Sequence, residues 1–173
     1  DIDICNQEFD ERYREYWQTY HKMTERKGVT ESYARLEVRR RNTLIGALMV
    51  HRGEADGLIC GTLGQAGAHL HYIDQVIGHE PGASTYGAMN ALVLPGRQVF
   101  LVDTHINIDP SAEQLAEITI MAAKELRALG IEPKVALLSH SNFGSSQAPS
   151  AQKMRQVLAI LKEKAPDMTV DGE

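Results

Sequence analysis

From Ala91 onward, short apolar runs alternate with helix-length amphipathic segments, and this alternation decides the fold class. Ala91-Leu92-Val93-Leu94 and Val99-Phe100-Leu101-Val102 flank Pro95-Gly96-Arg97-Gln98, which reads as a hairpin turn. After Asp109-Pro110, Ser111 offers a helix N-cap and Gln114 completes a capping box. Leu115, Ile118, Ala122, Leu126 and Leu129 mark the buried stripe of that helix, and Gly130 stops it. Val135-Ala136-Leu137-Leu138 reads as a buried strand. A helix from about Ser150 follows, with Met154, Val157, Leu158 and Leu161 inward, and Met168-Thr169-Val170 starts a last strand. Strands spaced by helices of this length predict an α/β fold with a largely parallel sheet, to which the hairpin adds an antiparallel part.

The first half is richer in helix. Over residues 8–22, Phe9, Tyr13, Tyr16, Trp17 and Tyr20 fall on one helical face. Thr30-Glu31 opens a second helix after the Gly28 break, and a third follows Asn42 with Ile45, Leu48 and Met49 facing inward. Gly57-Leu58-Ile59-Cys60-Gly61, an apolar run between glycines, reads as a buried strand. A helix over residues 65–77 has Ala66, Leu70, Ile73 and Ile77 as its inner stripe and Gly78 as its stop. Turn-forming residues at 80–84 suggest a boundary. Residues 1–82 would form part of a first lobe, mostly helical with one strand, and 83–173 a sheet-rich second lobe.

Charge and hydropathy exclude several function classes. The net charge of -5 gives no electrostatic reason to expect nucleic-acid or anionic-membrane binding, and Arg39-Arg40-Arg41 is too short to reverse that. No apolar run approaches the ~18 residues of a membrane span, and Asp1-Ile2-Asp3 does not begin a signal peptide, so a cytoplasmic location is expected. A start without methionine and a stop at Asp171-Gly172-Glu173 suggest a piece of a longer chain. Cys5 and Cys60 lie far apart and read as two reduced thiols, one of them inside the buried strand.

Two loops invite a chemical reading. The first is Ser139-His140-Ser141-Asn142-Phe143-Gly144-Ser145-Ser146, between a strand end and a helix start, where open α/β sheets place ligands. Its hydroxyls, its glycine and the following helix N-terminus suit an anion, although a plain polar connection would look similar. It is not a Walker A loop, because no Gly-Lys-Ser/Thr closes it. The second loop, Cys60-Gly61-Thr62-Leu63-Gly64-Gln65, follows the same logic. His69 and His71 fall on different faces of a helix, His69 nearer the packed side and His71 roughly 130° from the stripe. Asp103, His105 and Asp109 could be assembled into a metal site, but capping and turn formation explain Asp109 better.

These strings carry a family resemblance. The segment from Asp103 through Asp109-Pro110-Ser111-Ala112-Glu113-Gln114-Leu115-Ala116-Glu117 resembles the N-P-D-P-T-A-E-Q-L-A-E stretch of phosphate acetyl/butyryl transferases. Gly53-Glu54-Ala55-Asp56-Gly57-Leu58 resembles that family's G-D-A-D-G-M turn, and Ser141 to Ser145 its Ser/Thr/Gly-rich loop. The Ser139 to Ser146 string and Arg40-Arg41-Asn42-Thr43-Leu44-Ile45-Gly46 look like the version of this domain that ends bacterial NADP-dependent malic enzymes. The departure is at residues 65–72. Transferases read T-T-A-D-T-I-R-P there, this chain reads Gln-Ala-Gly-Ala-His-Leu-His-Tyr, and their arginine aligns with His71.

The resemblance implies a three-layer α/β/α, two-lobed architecture like that of isocitrate and isopropylmalate dehydrogenases, with a cleft between the lobes. It implies an acetyl-CoA-responsive regulatory and oligomerisation domain of an enzyme that oxidatively decarboxylates malate to pyruvate, itself without acetyl transfer. NADP and Mg or Mn would belong to the malic domain, outside this chain. The alternative is a phosphate acetyltransferase exchanging acetyl groups between coenzyme A and phosphate, and a third reading is a pure assembly module. Matching loop positions and the strand-end argument nominate Asn42, Thr62, His71, Ser141, Asn142 and Ser145 as acetyl-CoA contacts, with no catalytic or metal-binding residue assigned. The implied partners are a second copy of the chain and a malic enzyme catalytic domain in the same polypeptide.

Overall fold

The computed structural model describes residues 4–6 and 9–173. The chain divides between His79 and Glu80 into two units, each with its own core. Among its described residues, the unit ending at His79 has four α-helices: α1 (Tyr13–Thr24), α2 (Glu31–Arg40), α3 (Asn42–His51) and α4 (Ala66–Val76). A single 3-10 turn, Glu25–Lys27, follows α1 and is closed by Gly28 in the left-handed conformation. Thr30 caps α2 by accepting from the Tyr33 amide. The buried core joins Tyr16, Trp17 and Tyr20 of α1 to Ala34 and Val38 of α2, Leu44 and Leu48 of α3, and Val76 of α4. Burying a leucine such as Leu44 or Leu48 is worth about 1.5–3 kcal/mol.

Polar tips inside this core are paired. The Tyr16 hydroxyl donates to Glu54 at 2.6 Å, Tyr20 donates to Gln75 at 2.9 Å, and Tyr72 donates to the buried Glu37, which Arg41 also approaches. A carboxylate buried without such donors would cost several kcal/mol.

Three expectations for this unit need correction. Helix α1 begins at Tyr13, because the Asp10 carboxylate ties back to the Arg12 amide and guanidinium and sets a turn before the helix. Phe9 is therefore exposed in that turn, and Glu8 lies outside the described residues. Residues 57–61 form no strand, since a strand needs a neighbouring backbone and no other segment of this unit is extended among the described residues. Ile59 is fully exposed, and Cys60, which was expected inside a buried strand, is exposed as well. Helix α4 packs on the core through Val76 and Tyr72, while Ala66 and Ile77 face outward and Leu70 and Ile73 are half-buried. The Tyr72 hydroxyl donates to the buried Glu37, which lets that ring take the inner face.

The unit starting at Glu80 holds all the described strands. β1 (Met89–Leu94) and β2 (Arg97–Val102) pair antiparallel from Met89↔Val102 to Leu94↔Arg97, around a Pro95-Gly96 turn in which glycine has φ 74°. Helix α5 (Ala112–Ala128) carries the full capping box, with the Ser111 hydroxyl accepting from the Gln114 amide and the Gln114 side chain accepting from the Ser111 amide. β3 (Lys134–Leu137), α6 (Pro149–Lys164) and β4 (Thr169–Gly172) form a parallel crossover, with Lys134↔Thr169 through Leu137↔Gly172 in register. Ala116, Ala123, Leu137, Val157, Leu161 and Met168 fill the core.

The strands do not form one largely parallel sheet. They make two separate two-stranded ladders, and an apolar cavity of about 740 Å³ lies between β2, α5 and β3 where a continuous sheet would run. Leu129 and Leu138, expected to be buried, face outward because one lies beyond the end of α5 and the other beyond the end of β3. The fold is mixed α/β, with helices around two small sheets. No helix among the described residues is long and apolar enough to cross a membrane.

Candidate functional site

In the first unit, His69 links the segments that carry Asn42, Thr62 and His71 through partners of its own. Its Nδ1 lies 2.6 Å from the Thr43 hydroxyl and its Nε2 lies 2.8 Å from the Leu63 carbonyl oxygen. A carbonyl can only accept, so Nε2 carries a proton, and in the neutral ring Nδ1 accepts from Thr43. This relay ties the start of α3 to the 61–65 loop and to α4. Asn42 and Thr62 each sit one residue from a member of it, Asn42 at the first position of α3 and Thr62 exposed in the loop. His71 is exposed on α4, its ring edge-on to Tyr72 at 5.3 Å between centroids. Gly61 and Gly64, at φ 105° and 102°, let the loop turn tightly where a side chain would be strained.

In the second unit, the loop after β3 folds around a carboxylate. Ser139 Oγ and Ser141 Oγ each donate to Glu173 at 2.6 Å, and Arg155 of α6 reaches the same carboxylate at 3.3 Å. The Ser139 and Ser141 hydroxyls, then the Gly144 amide and Arg155, hold the Glu173 carboxyl below its usual range against the opposing effect of burial. The Asn142 amide donates to Ser145 Oγ at 3.2 Å and the Ser145 amide donates to the Asn142 carbonyl at 3.1 Å, closing a tight turn. Inside that turn Phe143 and Gly144 both have positive φ, 44° and 78°. Ser141, Asn142 and Ser145 are thus brought together in one turn, with α6 starting four residues after it.

His140 does not complete a serine–histidine–carboxylate triad, in which a carboxylate orients the histidine. Here His140 has a hydroxyl at each ring nitrogen, Ser146 and Ser150 at 3.3 Å, which leaves no position for that third group. Asp103 is likewise engaged in structure. Burial pushes its carboxyl up, but the amides of Ala88, Asn107 and Ile106 and the Asn107 side chain bind it and bring it below the usual range. Asp109 pairs with Lys153, which also donates to the Pro110 carbonyl and so ties α6 to the start of α5. Among the described residues, no three His, Cys, Asp or Glu side chains gather as they would around a metal ion.

Sequence reasoning missed Thr43, His69, Arg155 and Glu173. A signal for Glu173 was available. It directly follows β4, and the ends of parallel strands are where this fold class places its functional groups.

The chain matches known proteins in both sequence and fold. Residues 1–173 match the Phosphate acetyl/butaryl transferase family. The chain is 51% identical over 173 residues to the NADP-dependent malic enzyme of Escherichia coli, spanning all of this chain and 23% of that protein. It is 39% identical over 162 residues to the phosphate acetyltransferase of Synechocystis, covering 94% of this chain and 23% of that one. The chain thus spans about a quarter of the length of these curated relatives. Among solved structures, a phosphotransacetylase from Streptococcus pyogenes superposes with a TM-score of 0.85 at 30% identity, covering 100% of this chain and 53% of that one. Matched along its whole length in sequence and in fold, the chain belongs to the phosphate acetyl/butaryl transferase family.

Proposed function

We propose that this chain is part of the phosphotransacetylase-like domain at the C-terminal end of an NADP-dependent malic enzyme, where it responds to acetyl-CoA and helps the subunits assemble without transferring acetyl groups. The observation that carries the reading is His71, exposed on α4 at the position of the transferases' arginine. Arginine offers phosphate a permanent charge and a two-pronged fit, and histidine offers neither. Gln65 and Ala66 also stand where the transferase pattern has hydroxyls. The higher identity to a malic enzyme than to a transferase, 51% against 39%, supports the same reading.

In this reading acetyl-CoA meets Asn42, Thr62, His71, Ser141, Asn142 and Ser145, and NADP with Mg or Mn belongs to the malic domain of the same polypeptide. The finer fold assignment, the two-lobed α/β/α architecture of the isocitrate dehydrogenases, is part of the proposal and is supported by the mixture of helices and small sheets. Self-association is supported by the apolar outer face of the hairpin, where Val93 is 78% exposed. Sedimentation of the intact polypeptide at micromolar concentration tests it, and a clean monomer would count against an assembly role.

The deciding assay is acetyl phosphate formation from acetyl-CoA and phosphate. Neither the intact wild-type protein nor its His71→Arg variant should turn over, because one restored arginine does not return the other groups that hold the reacting atoms. Adding acetyl-CoA should change the rate of malate oxidation. Robust acetyl transfer by the wild type would instead favour the alternative, a phosphate acetyltransferase, to which the likeness to solved phosphotransacetylases already lends weight.

A further inference from the structure

The Glu173 side chain is 1% exposed, yet it bears a carboxylate, and four donors from the 139–146 loop and helix α6 converge on it. Ser139 lies just past the end of β3, Ser141 and the Gly144 amide belong to the loop, and Arg155 belongs to α6. The parallel register sets Leu137 beside Gly172, so the next residues of the two strands emerge side by side and Glu173 reaches under the loop. Arg155 also donates to the Ser146 carbonyl at 3.1 Å, fixing the far end of the same loop.

We propose that Glu173 is the positioning residue of the 139–146 loop, holding from inside the turn that presents Asn142 and Ser145. The inference rests on the reading of this loop as a ligand loop. It also changes that reading in one respect. A serine hydroxyl has a single proton, and those of Ser139 and Ser141 are committed to Glu173. Towards a ligand these two side chains offer only lone pairs. Any anion held here must therefore be met by other donors of the turn and of the α6 N-terminus. Ser141, nominated as a direct contact, acts as a strut instead.

The experiment compares Glu173→Ala, Glu173→Gln and Ser141→Ala in the intact polypeptide, by hydrogen exchange over residues 139–148 and by calorimetric titration with acetyl-CoA. Removing the carboxylate takes away charge-assisted bonds, so Glu173→Ala should speed exchange in the loop about tenfold and weaken acetyl-CoA about fivefold or more. Glu173→Gln keeps one accepting oxygen and should rescue part of both effects. Unchanged loop exchange in Glu173→Ala would overturn the proposal. Should that variant unfold the whole unit, seen as fast exchange everywhere, Ser141→Ala removes one loop donor and leaves the carboxylate. It should still speed loop exchange about threefold, and no change in it would overturn the proposal. Loosening of the loop with unaltered acetyl-CoA affinity would leave the positioning role standing and sink the ligand reading of the loop.

Discussion

In the unit ending at His79, Tyr16, Tyr20 and Tyr72 on helices each donate their hydroxyl to one side chain. In the unit starting at Glu80, three carboxylates each collect several donors, most of them from loops. Glu173 takes the two serines and Arg155, Asp103 takes three amides and Asn107, and Glu117 takes the Ser84 amide and hydroxyl and the Thr85 amide. The first pattern seals a helix bundle. The second pins irregular backbone, and irregular backbone is where a binding loop has to be held. The cores differ in the same sense. One is closed by aromatic rings, and the other borders an apolar cavity of about 740 Å³.

The largest expected effect separates those two cores. Leu48 is fully buried among α1 and α3 side chains, and Leu48→Ala leaves a void its neighbours cannot fill, costing about 2–5 kcal/mol. Leu126 already lines the cavity beside α5, so Leu126→Ala enlarges an existing space and should fall at or below the low end of that range, about 2 kcal/mol. Denaturant-dependent hydrogen exchange, read separately in peptides from α3 and α5, gives both values. Equal losses would show that the second core is as tightly closed as the first.

Gly172→Ala tests the pinning of loop ends. Gly172 has φ 150°, and a methyl there would lie 2.4 Å from the Leu137 carbonyl oxygen, which is backbone and cannot swing aside. Relief requires the end of β4 to move, at about 1–3 kcal/mol, and Glu173 moves with it. Exchange should rise in the 139–148 loop while the first unit stays as it was. The contrasting site is Gly46, where an added methyl meets only the flexible end of Leu58 at 2.5 Å and should cost less.

The two kinds of polar burial predict different responses to pH. Burial, then the bond to Glu37, pushes the Tyr72 hydroxyl up to about 12, and burial raises Tyr16 and Tyr20 as well. A group whose folded pKa is raised contributes stability below its unfolded value, near 10, and that contribution is lost as pH rises towards the folded value. The first unit should therefore lose exchange protection between about pH 10 and pH 12. Glu173 and Asp103 are lowered, so their contribution is present above the unfolded value, near 4, and is lost as pH falls. Glu54 and Asp10 of the first unit are lowered too, which makes the acid limb common to both units. Lys124 of the second unit is raised too by its bond to Glu80, but that pair is exposed and screened, so the larger alkaline loss is expected in the first unit. An alkaline loss of equal size in both units would break the comparison.

What the sequence discloses follows from how local each signal is. The Ser111–Gln114 capping box, the hairpin turn and the third helix depend on residues within a few positions of one another. The box stands where it reads, the turn tightens to Pro95-Gly96 with Arg97 and Gln98 already in β2, and α3 takes in Asn42 itself. Residues 57–61 have the composition of a strand but have no pairing strand among the described residues of their unit, and pairing is not a local property. The serine loop was visible from its hydroxyls and glycine. Glu173, which organises it, was not, because its bond to Ser139 spans 34 residues and depends on the β3–β4 register. His69 read as the histidine nearer the packed side, but its partners, Thr43 and the Leu63 carbonyl, depend on the approach of another helix and a loop and were not legible in the spacing.

The smallest effect compares helix caps across the two units. Thr30 caps α2 with one bond, accepting from the Tyr33 amide at 3.3 Å, while its hydroxyl also meets Ser32 at 3.2 Å. Ser111 caps α5 in a reciprocal pair, because Gln114 also accepts from the Ser111 amide at 2.9 Å. Thr30→Ala removes one long bond and should cost about 0.5 kcal/mol. Ser111→Ala removes one arm of a closed box and loosens the other, so about 1 kcal/mol is expected. The larger cost should appear in α5 and, through the Lys153 bridge to Asp109 and Pro110, at the start of α6. Exchange rates of the first-turn amides in the two helices measure both. If Thr30→Ala costs as much as Ser111→Ala, the reciprocal bond adds nothing, and the second unit draws no special stability from the box that precedes α5.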